Sequence, residues 1–480
     1  MREATTCAVK VIGLCAGIGV LCGSGCFGGV ISDSTGSGLN GVTVSVYGCP
    51  GCVANTTTTA ADGTIDGVYK FDPYDGGPVI LPSGGAEAVR IRASRALYTT
   101  RVVYHRVQYK ENPSDSSRYY DLRNFTLHSS GSADTDGDGL KDAEETSIGT
   151  DPTNADTDGD GLPDGWEVDG HNYVDLAALG ANPLHKDVFV ECDYMSGKNP
   201  SAATIDRVVT AFANAAVSNP DGHNGINLHV EIDDLIPTDT DLNPVWTEFD
   251  AIKASNFSPF RDGLFHYCVF AERFDGTNYS GISRSIAAED FVITLGPGGG
   301  TDDQKAGTFM HELGHNLGLR HGGLDNQNYK PNYLSVMNYS FQFSGLMVDG
   351  ATGVMDYSHF TLASLNENAL SEPAGLNLAG GGAETELAHY GTRYCPNGGA
   401  LTWDSTGASN VDWNGSGAIN AAAVASDINC DGAKGTLLTQ NDWNNIVYNG
   451  GGLIGLGLGA KTAAARKVLP GDTDNCLPFE

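Results

Sequence analysis

The sequence predicts a multidomain chain: an N-terminal all-β sandwich, an Asp-rich repeat linker and a C-terminal α+β domain. Three observations carry this. Short runs of alternating polarity, broken by Gly, Asp and Pro, fill residues 28–128; two near-copies of an Asp-Gly segment follow; from Lys186 onward, apolar strand-like runs flank an amphipathic helical pattern. The 480 residues are 40% hydrophobic and 9% aromatic, enough for several cores. With 59 Asp+Glu against 27 Lys+Arg the net charge is -32, which disfavours non-specific binding to nucleic acid or anionic lipid. Only 18% of residues are charged, so the acidity is gathered in short Asp clusters that suit hard cations.

Residues 1–26 read as a signal peptide. Arg2 and Lys10 precede the apolar run Val11 to Cys22, which is too short for a membrane-spanning helix of about 20 residues. Gly23-Ser-Gly-Cys26 resembles a bacterial lipoprotein cleavage site, although Gly23 stands where that pattern prefers Leu; the resemblance implies a lipid anchor at Cys26. No other long apolar segment follows, so a secreted or cell-surface protein without a transmembrane span is expected. In that oxidising setting some of Cys49, Cys52, Cys192, Cys268, Cys395, Cys430 and Cys476 should pair, and Cys49-Pro-Gly-Cys52 can close a small loop. An odd number leaves at least one thiol over, read as a buried, inert one.

Within residues 27–128, strands are expected at Gly41–Tyr47, Val68–Phe71 and Val89–Ala93. The runs Gly29-Val-Ile-Ser-Asp, Gly38-Leu-Asn-Gly-Val-Thr-Val and Thr59-Ala-Ala-Asp-Gly resemble carboxypeptidase regulatory-like modules. The resemblance implies a spacing or adhesive role, and no catalytic cluster occurs here.

Residues 129–182 hold the repeats. Asp134, Asp136, Asp138, Asp142 and Glu145 occupy positions 1, 3, 5, 9 and 12 of one loop; Asp156, Asp158, Asp160, Asp164 and Glu167 occupy the same positions of the next. Gly139 and Gly161 supply the sharp turn, and the carbonyls of Leu140 and Leu162 are candidate seventh-position ligands, an oxygen set suited to Ca²⁺. With Leu at position 7 and no helix before the first loop, the segment resembles thrombospondin type 3 repeats more than EF-hands.

From residue 183 to 480 the pattern reads strand Lys186–Cys192, helix Ser201–Val217 and strands Ile226–Ile232, Leu264–Phe270 and Phe291–Leu295. Ile205, Val208, Val209 and Phe212 mark the apolar face of the helix. Then comes His311-Glu-Leu-Gly-His315-Asn-Leu-Gly-Leu-Arg-His321. On a helix His311 and His315 face one point and Glu312 sits about 100° around, able to reach a metal-held water without binding the metal. Gly318 can end the helix in positive φ and return the chain so that His321 becomes the third ligand. Three neutral imidazoles with an open fourth position describe a catalytic Zn²⁺.

This motif, with Ser335-Val-Met337-Asn-Tyr339 downstream, resembles the metzincin metalloproteases and their Met-turn. The resemblance implies an α+β catalytic domain with a five-stranded mixed sheet, running from Lys186 to a C-terminal helix. It also implies a hydrophobic floor at Met337 and two alternatives for Tyr339, a zinc ligand that swings to the oxyanion or a residue that only packs. Phe291–Leu295 would lie close to the edge strand that binds extended peptide. Glu312 would act as general base and then acid, and the partner would be a peptide or protein substrate met by a monomeric enzyme. Further on, Asp412-Trp-Asn-Gly-Ser-Gly and Asp427-Ile-Asn-Cys-Asp-Gly432 read either as a third calcium site or as polar turns. The leading expectation is a secreted zinc endopeptidase; its competitor is a calcium-dependent adhesion or surface protein with a vestigial or self-processing peptidase domain.

Overall fold

The computed structural model describes residues 8–10, 19–21 and 27–455, except 63–64, 72–85, 107–108, 112–117, 121–122 and 380–384. Cys26, most of the expected leader and Cys476 lie outside the described residues. The chain divides into two compact units, Met1–Leu184 with Ser258–Asp262, and His185–Phe257 with Gly263–Glu480.

In the first unit β1 (Ala8–Lys10) pairs with β2 (Gly19–Leu21). The sandwich follows as two four-stranded sheets. One contains β3 (Phe27–Ser32), β6 (Ala60–Asp62), β7 (Ile65–Phe71) and β12 (Phe125–Thr126), in the order β12-β3-β7-β6. The other contains β4 (Thr43–Tyr47), β5 (Asn55–Thr58), β8 (Val89–Ser94) and β9 (Arg101–His105), in the order β5-β4-β8-β9. A hairpin joins β10 (Tyr109–Glu111) to β11 (Arg118–Tyr120). Period-two alternation explains the facing: Val89, Ile91 and Ala93 are buried while Arg90, Arg92 and Ser94 are only half-buried. With Val44, Val46, Tyr69 and Phe71 they form one core, each large aliphatic contributing about 1.5–3 kcal/mol of burial. Cys49 and Cys52 form the expected small disulfide loop.

The repeat segment carries α1 (Asp142–Ile148), α2 (Asp164–Asp169) and α3 (Leu176–Leu179). It is not a free-standing linker. Arg101 on β9 forks onto Asp169 at 2.8 and 2.9 Å and reaches Glu144 at 2.9 Å, so both repeats are fastened to the sandwich.

The second unit begins with β13 (Asp187–Met195), α4 (Ala202–Ala213), β14 (Asn227–Ile236) and α5 (Val245–Asn256). Next come β15 (His266–Ala271), β16 (Gly281–Ser283), β17 (Asp290–Thr294) and α6 (Asp302–Asn316). The five strands form one mixed sheet, β14-β13-β15-β17-β16, parallel except for the antiparallel edge strand β16. All four strands read from the sequence are present. Phe291 falls on the penultimate strand β17, and the edge itself is Gly281–Ser283, too short to read as a pattern. Helix α4 starts where Ser201 accepts the Thr204 N–H at 3.1 Å and stops four residues before the expected Val217. Ile205, Val208 and Phe212 bury the expected face.

Beyond α6 the chain is mostly irregular. Three two-stranded ladders pair β18 (Leu346–Val348) with β19 (Ala351–Val354), β20 (Leu365–Asn366) with β23 (Thr436–Leu437), and β21 (Thr392–Tyr394) with β22 (Thr402–Asp404). They enclose a second core around Trp413, Phe360, Leu370 and Ile428, tied by the Cys395–Cys430 disulfide. Among the described residues no α-helix follows α6, only 3-10 turns at Leu387–His389, Pro396–Gly398 and Trp443–Asn445; residues 456–480, where a C-terminal helix would fall, lie outside the described residues. Cys192 and Cys268 are buried free thiols, opposite one another on β13 and β15.

Candidate functional site

Helix α6 is built to carry its histidines inward. Thr301 and Gln304 close a reciprocal capping box, and Asp302 and Asp303 complement the dipole of the first turn. Phe309, Leu313 and Leu317 are fully buried, with Phe309 packed 5.6 Å from Phe291 and 6.2 Å from Phe270. Gly318 adopts φ 87°, and the Leu319 N–H bonds back to Gly314 at 2.8 Å, ending the helix as expected.

The turn brings His311, His315 and His321 together. The Nε2 atom of His315 lies 3.1 Å from Nε2 of both His311 and His321. His311 Nδ1 sits 2.9 Å from the Val336 carbonyl and His315 Nδ1 2.9 Å from that of Leu319, so each donates there and turns an Nε2 lone pair inward. Burial pushes His315 down to about 4; burial and the neighbouring imidazoles hold His311 and His321 well below the usual range. Neutral nitrogens converging so closely repel unless a cation accepts them. Tetrahedral zinc ligands at about 2.1 Å would stand about 3.4 Å apart, so the donor set fits Zn²⁺.

Glu312 is fully buried on the same helix. Its Oε1 faces β16, where a Cβ on Gly281 would come within 2.6 Å. Met337 is fully buried, and a Cβ on Gly314 would overlap its sulfur, which places the thioether against the helix between the two α6 ligands. The Tyr339 ring lies 4.5 Å from His321 and 5.7 Å from His311. Sequence reasoning missed Gly281 and also Asp442, a buried carboxylate that accepts from Tyr333 and Ser335 of the turn before Met337. Neither has a spacing signature, since both reach the site only through the fold.

The repeats bring their acids together differently from two separate twelve-residue sets. Asp134, Asp136 and Asp138 form one group, Asp156, Asp158 and Asp160 another, and Asp138, Glu145 and Asp164 a third that joins the two repeats. Asp142 is in none of the groups found among the described residues: its carboxylate accepts from Thr135 N at 2.9 Å and Thr135 Oγ at 2.8 Å. Asp164 makes the same bonds to Thr157. Asp160 and Glu167 are buried, and Gly139 and Gly161 take the expected positive φ of 111° and 98°. Leu140 and Leu162 bury their side chains and donate their N–H groups to Asp138 and Asp160. Both Glu145 oxygens and Asp136 Oδ2 are buried without a hydrogen-bond partner. Burial and the charges of Asp136, Asp138 and Asp164 raise Glu145 to about 7, and burial raises Asp138 to about 6. Buried, unsatisfied oxygens crowded with like charge fit a hard cation.

Residues 134–155 and 156–171 match the bacterial TSP3 repeat. TSP3 repeats are a calcium-binding type typical of extracellular proteins, and these two segments are similar to them. No curated protein matches the chain. No helix of the described residues is long and apolar enough to cross a membrane.

The Asp412 and Asp427 loops carry the hydrogen bonds of polar turns. Asp412 accepts from Ser416 N and Gly417 N, Asp427 from Gly432 N, and among the described residues neither belongs to a three-ligand group. Of the other histidines, His185 pairs with Asp221 at 2.9 Å and His359 with Asp356 at 3.1 Å, while buried His266 meets Asn316 at 3.2 Å.

Proposed function

We propose that the protein is a zinc-dependent endopeptidase of metzincin type, exported and carrying calcium-stabilised TSP3 repeats beside a β-sandwich module. The observation that carries this reading is the convergence of three neutral Nε2 atoms beside buried Glu312, against the edge strand β16. His311, His315 and His321 would hold Zn²⁺, which when bound supplies Lewis acidity toward a carbonyl and lowers the pKa of water to near neutrality.

The chain's own groups do the rest. As the edge strand of the sheet, β16 would pair with an extended peptide, and Gly281 leaves room beside it for the Glu312 carboxylate. Glu312 takes a proton from the attacking water and returns it to the leaving amine. The Tyr339 hydroxyl hydrogen-bonds the developing oxyanion, and Met337 keeps the floor apolar and fixed. A calcium-dependent adhesion protein with an inactive domain would share the repeats but has no use for a buried Glu312 at this place.

The test is casein hydrolysis by the full chain. Activity should vanish with a chelator selective for transition metals, return with stoichiometric Zn²⁺ at constant Ca²⁺, and be lost in His321→Ala. Hydrolysis that survives zinc removal would reject the reading.

A further inference from the structure

A strip of partly exposed side chains leads outward from the histidines. Tyr339 lies 4.5 Å from His321, and the Tyr329 ring lies 6.0 Å beyond Tyr339. Next to Tyr329 stands Arg393: burial raises the Tyr329 phenol and the charge of Arg393 pulls against it. Strand β21 buries Thr392 and Tyr394, so alternation leaves Arg393 on the outer face. Its guanidinium lies over the ring of Trp403, the residue opposite on β22, at 5.3 Å. Nη1 donates to the Ser340 carbonyl at 3.0 Å, one residue past Tyr339.

Among the described residues no carboxylate pairs with this charge. Arg101, Arg261 and Arg284, which are more deeply buried, each pair with an Asp or Glu. Arg393 has no such partner among the described residues, its Nε is buried without an acceptor, and half-burial pulls its pKa below the ordinary guanidinium value. Desolvating a cation without a counter-charge is unfavourable, so an external anion is favoured there. The Trp403 ring and one hydrogen bond hold the head group, and the remaining Nη hydrogens are available as a fork matched to a carboxylate.

We propose that Arg393 is a specificity residue that selects a carboxylate on the peptide substrate, at a subsite reached past Tyr339 and Tyr329. The inference rests on the peptidase reading. The carboxylate is an Asp or Glu side chain near the scissile bond or the free C-terminus of a short peptide.

The experiment measures kcat/KM of the full chain on matched peptides. One set carries Asp or Glu, Asn or Gln, or Lys at each position flanking the bond; a second set compares a free C-terminus with its amide. Wild type should favour the carboxylate about tenfold, the scale of a charged hydrogen bond discounted for partial exposure. Arg393→Gln should bring the ratio near one, and Arg393→Glu should reverse it toward Lys. The ratio is its own control, because partial misfolding lowers both members of a pair alike. A preference confined to the C-terminal set assigns the source to the chain end; one confined to the side-chain set assigns it to Asp or Glu. Cleavage with a wild-type ratio near one, or a ratio unchanged in Arg393→Gln, overturns the inference alone. No cleavage of any peptide overturns the peptidase reading and this inference with it.

Discussion

Ser335 Oγ donates to Oδ2 of Asp442 across 2.7 Å, tying the turn beneath the histidines to a carboxylate 107 residues further along the chain. The same hydroxyl accepts from Met337 N at 3.2 Å, and the intervening Val336 carbonyl takes the His311 Nδ1 proton at 2.9 Å. Tyr333 donates to the same carboxylate at 2.8 Å. Asp442 thus fixes both the apolar floor and the tautomer of a metal-facing imidazole.

Burial pushes Asp442 from 3.8 up to about 6, against the pull of Ser335 and Tyr333. Because the folded pKa is the higher one, its stabilising contribution is fully present below about pH 3.8 and is lost as pH rises through about 6. Denaturant unfolding of wild type and Asp442→Asn from pH 4 to 7 should show the wild-type advantage shrinking with pH. A difference that stays flat across that window would contradict this account.

Gly281 is predicted to be irreplaceable for activity. A Cβ there would lie 2.6 Å from Glu312 Oε1 and 2.8 Å from the Val292 carbonyl, so Gly281→Ala must displace the carboxylate or the edge strand. Zinc content should be unchanged while kcat/KM falls about 100-fold, the cost of misplacing a reacting group by about 1 Å. Near-wild-type turnover in Gly281→Ala would remove Glu312 from the reaction.

Calcium binding by the repeats should weaken as pH falls from 7 to 5. In the metal-free repeats Glu145 is raised to about 7 and Asp138 to about 6, so Ca²⁺ must displace protons below those values. Calorimetry in buffers of different ionisation enthalpy should detect proton release near pH 6. Glu145→Gln should weaken the site that joins the two repeats and lower the melting temperature of calcium-loaded protein. Proton-neutral binding, or a Glu145→Gln variant with unaltered calcium affinity, would contradict the interleaved arrangement.

Local spacing made the legible part of this chain legible. His311, Glu312 and His315 share one helix, and Gly318 and His321 follow within a turn, so their convergence needs only helical geometry and one αL residue. The Asp-Gly loops repeat their own turn chemistry, and strands β13, β15 and β17 are almost wholly buried because both faces of the parallel sheet are covered there, while the outer strand β14 is legible from its alternating Leu228, Val230 and Ile232. What stayed hidden depends on distant pairing. Asp164 reads as a ligand of its own loop, yet it crosses to the other repeat's Asp138 and Glu145. Helix α5 buries only Val245, Phe249 and Lys253, with Lys253 held by Glu289, so its apolar periodicity is weak. Asp442 and Arg393 gain meaning only from the Ser335 turn and the β21–β22 ladder that meet them.

The most direct test of the central claim is zinc content measured beside kcat/KM on one peptide, for wild type and Glu312→Ala. About one zinc per chain is expected in both proteins, with hydrolysis by the variant reduced about 10²–10⁴-fold. A zinc-loaded Glu312→Ala protein that keeps most of the wild-type rate would contradict the account.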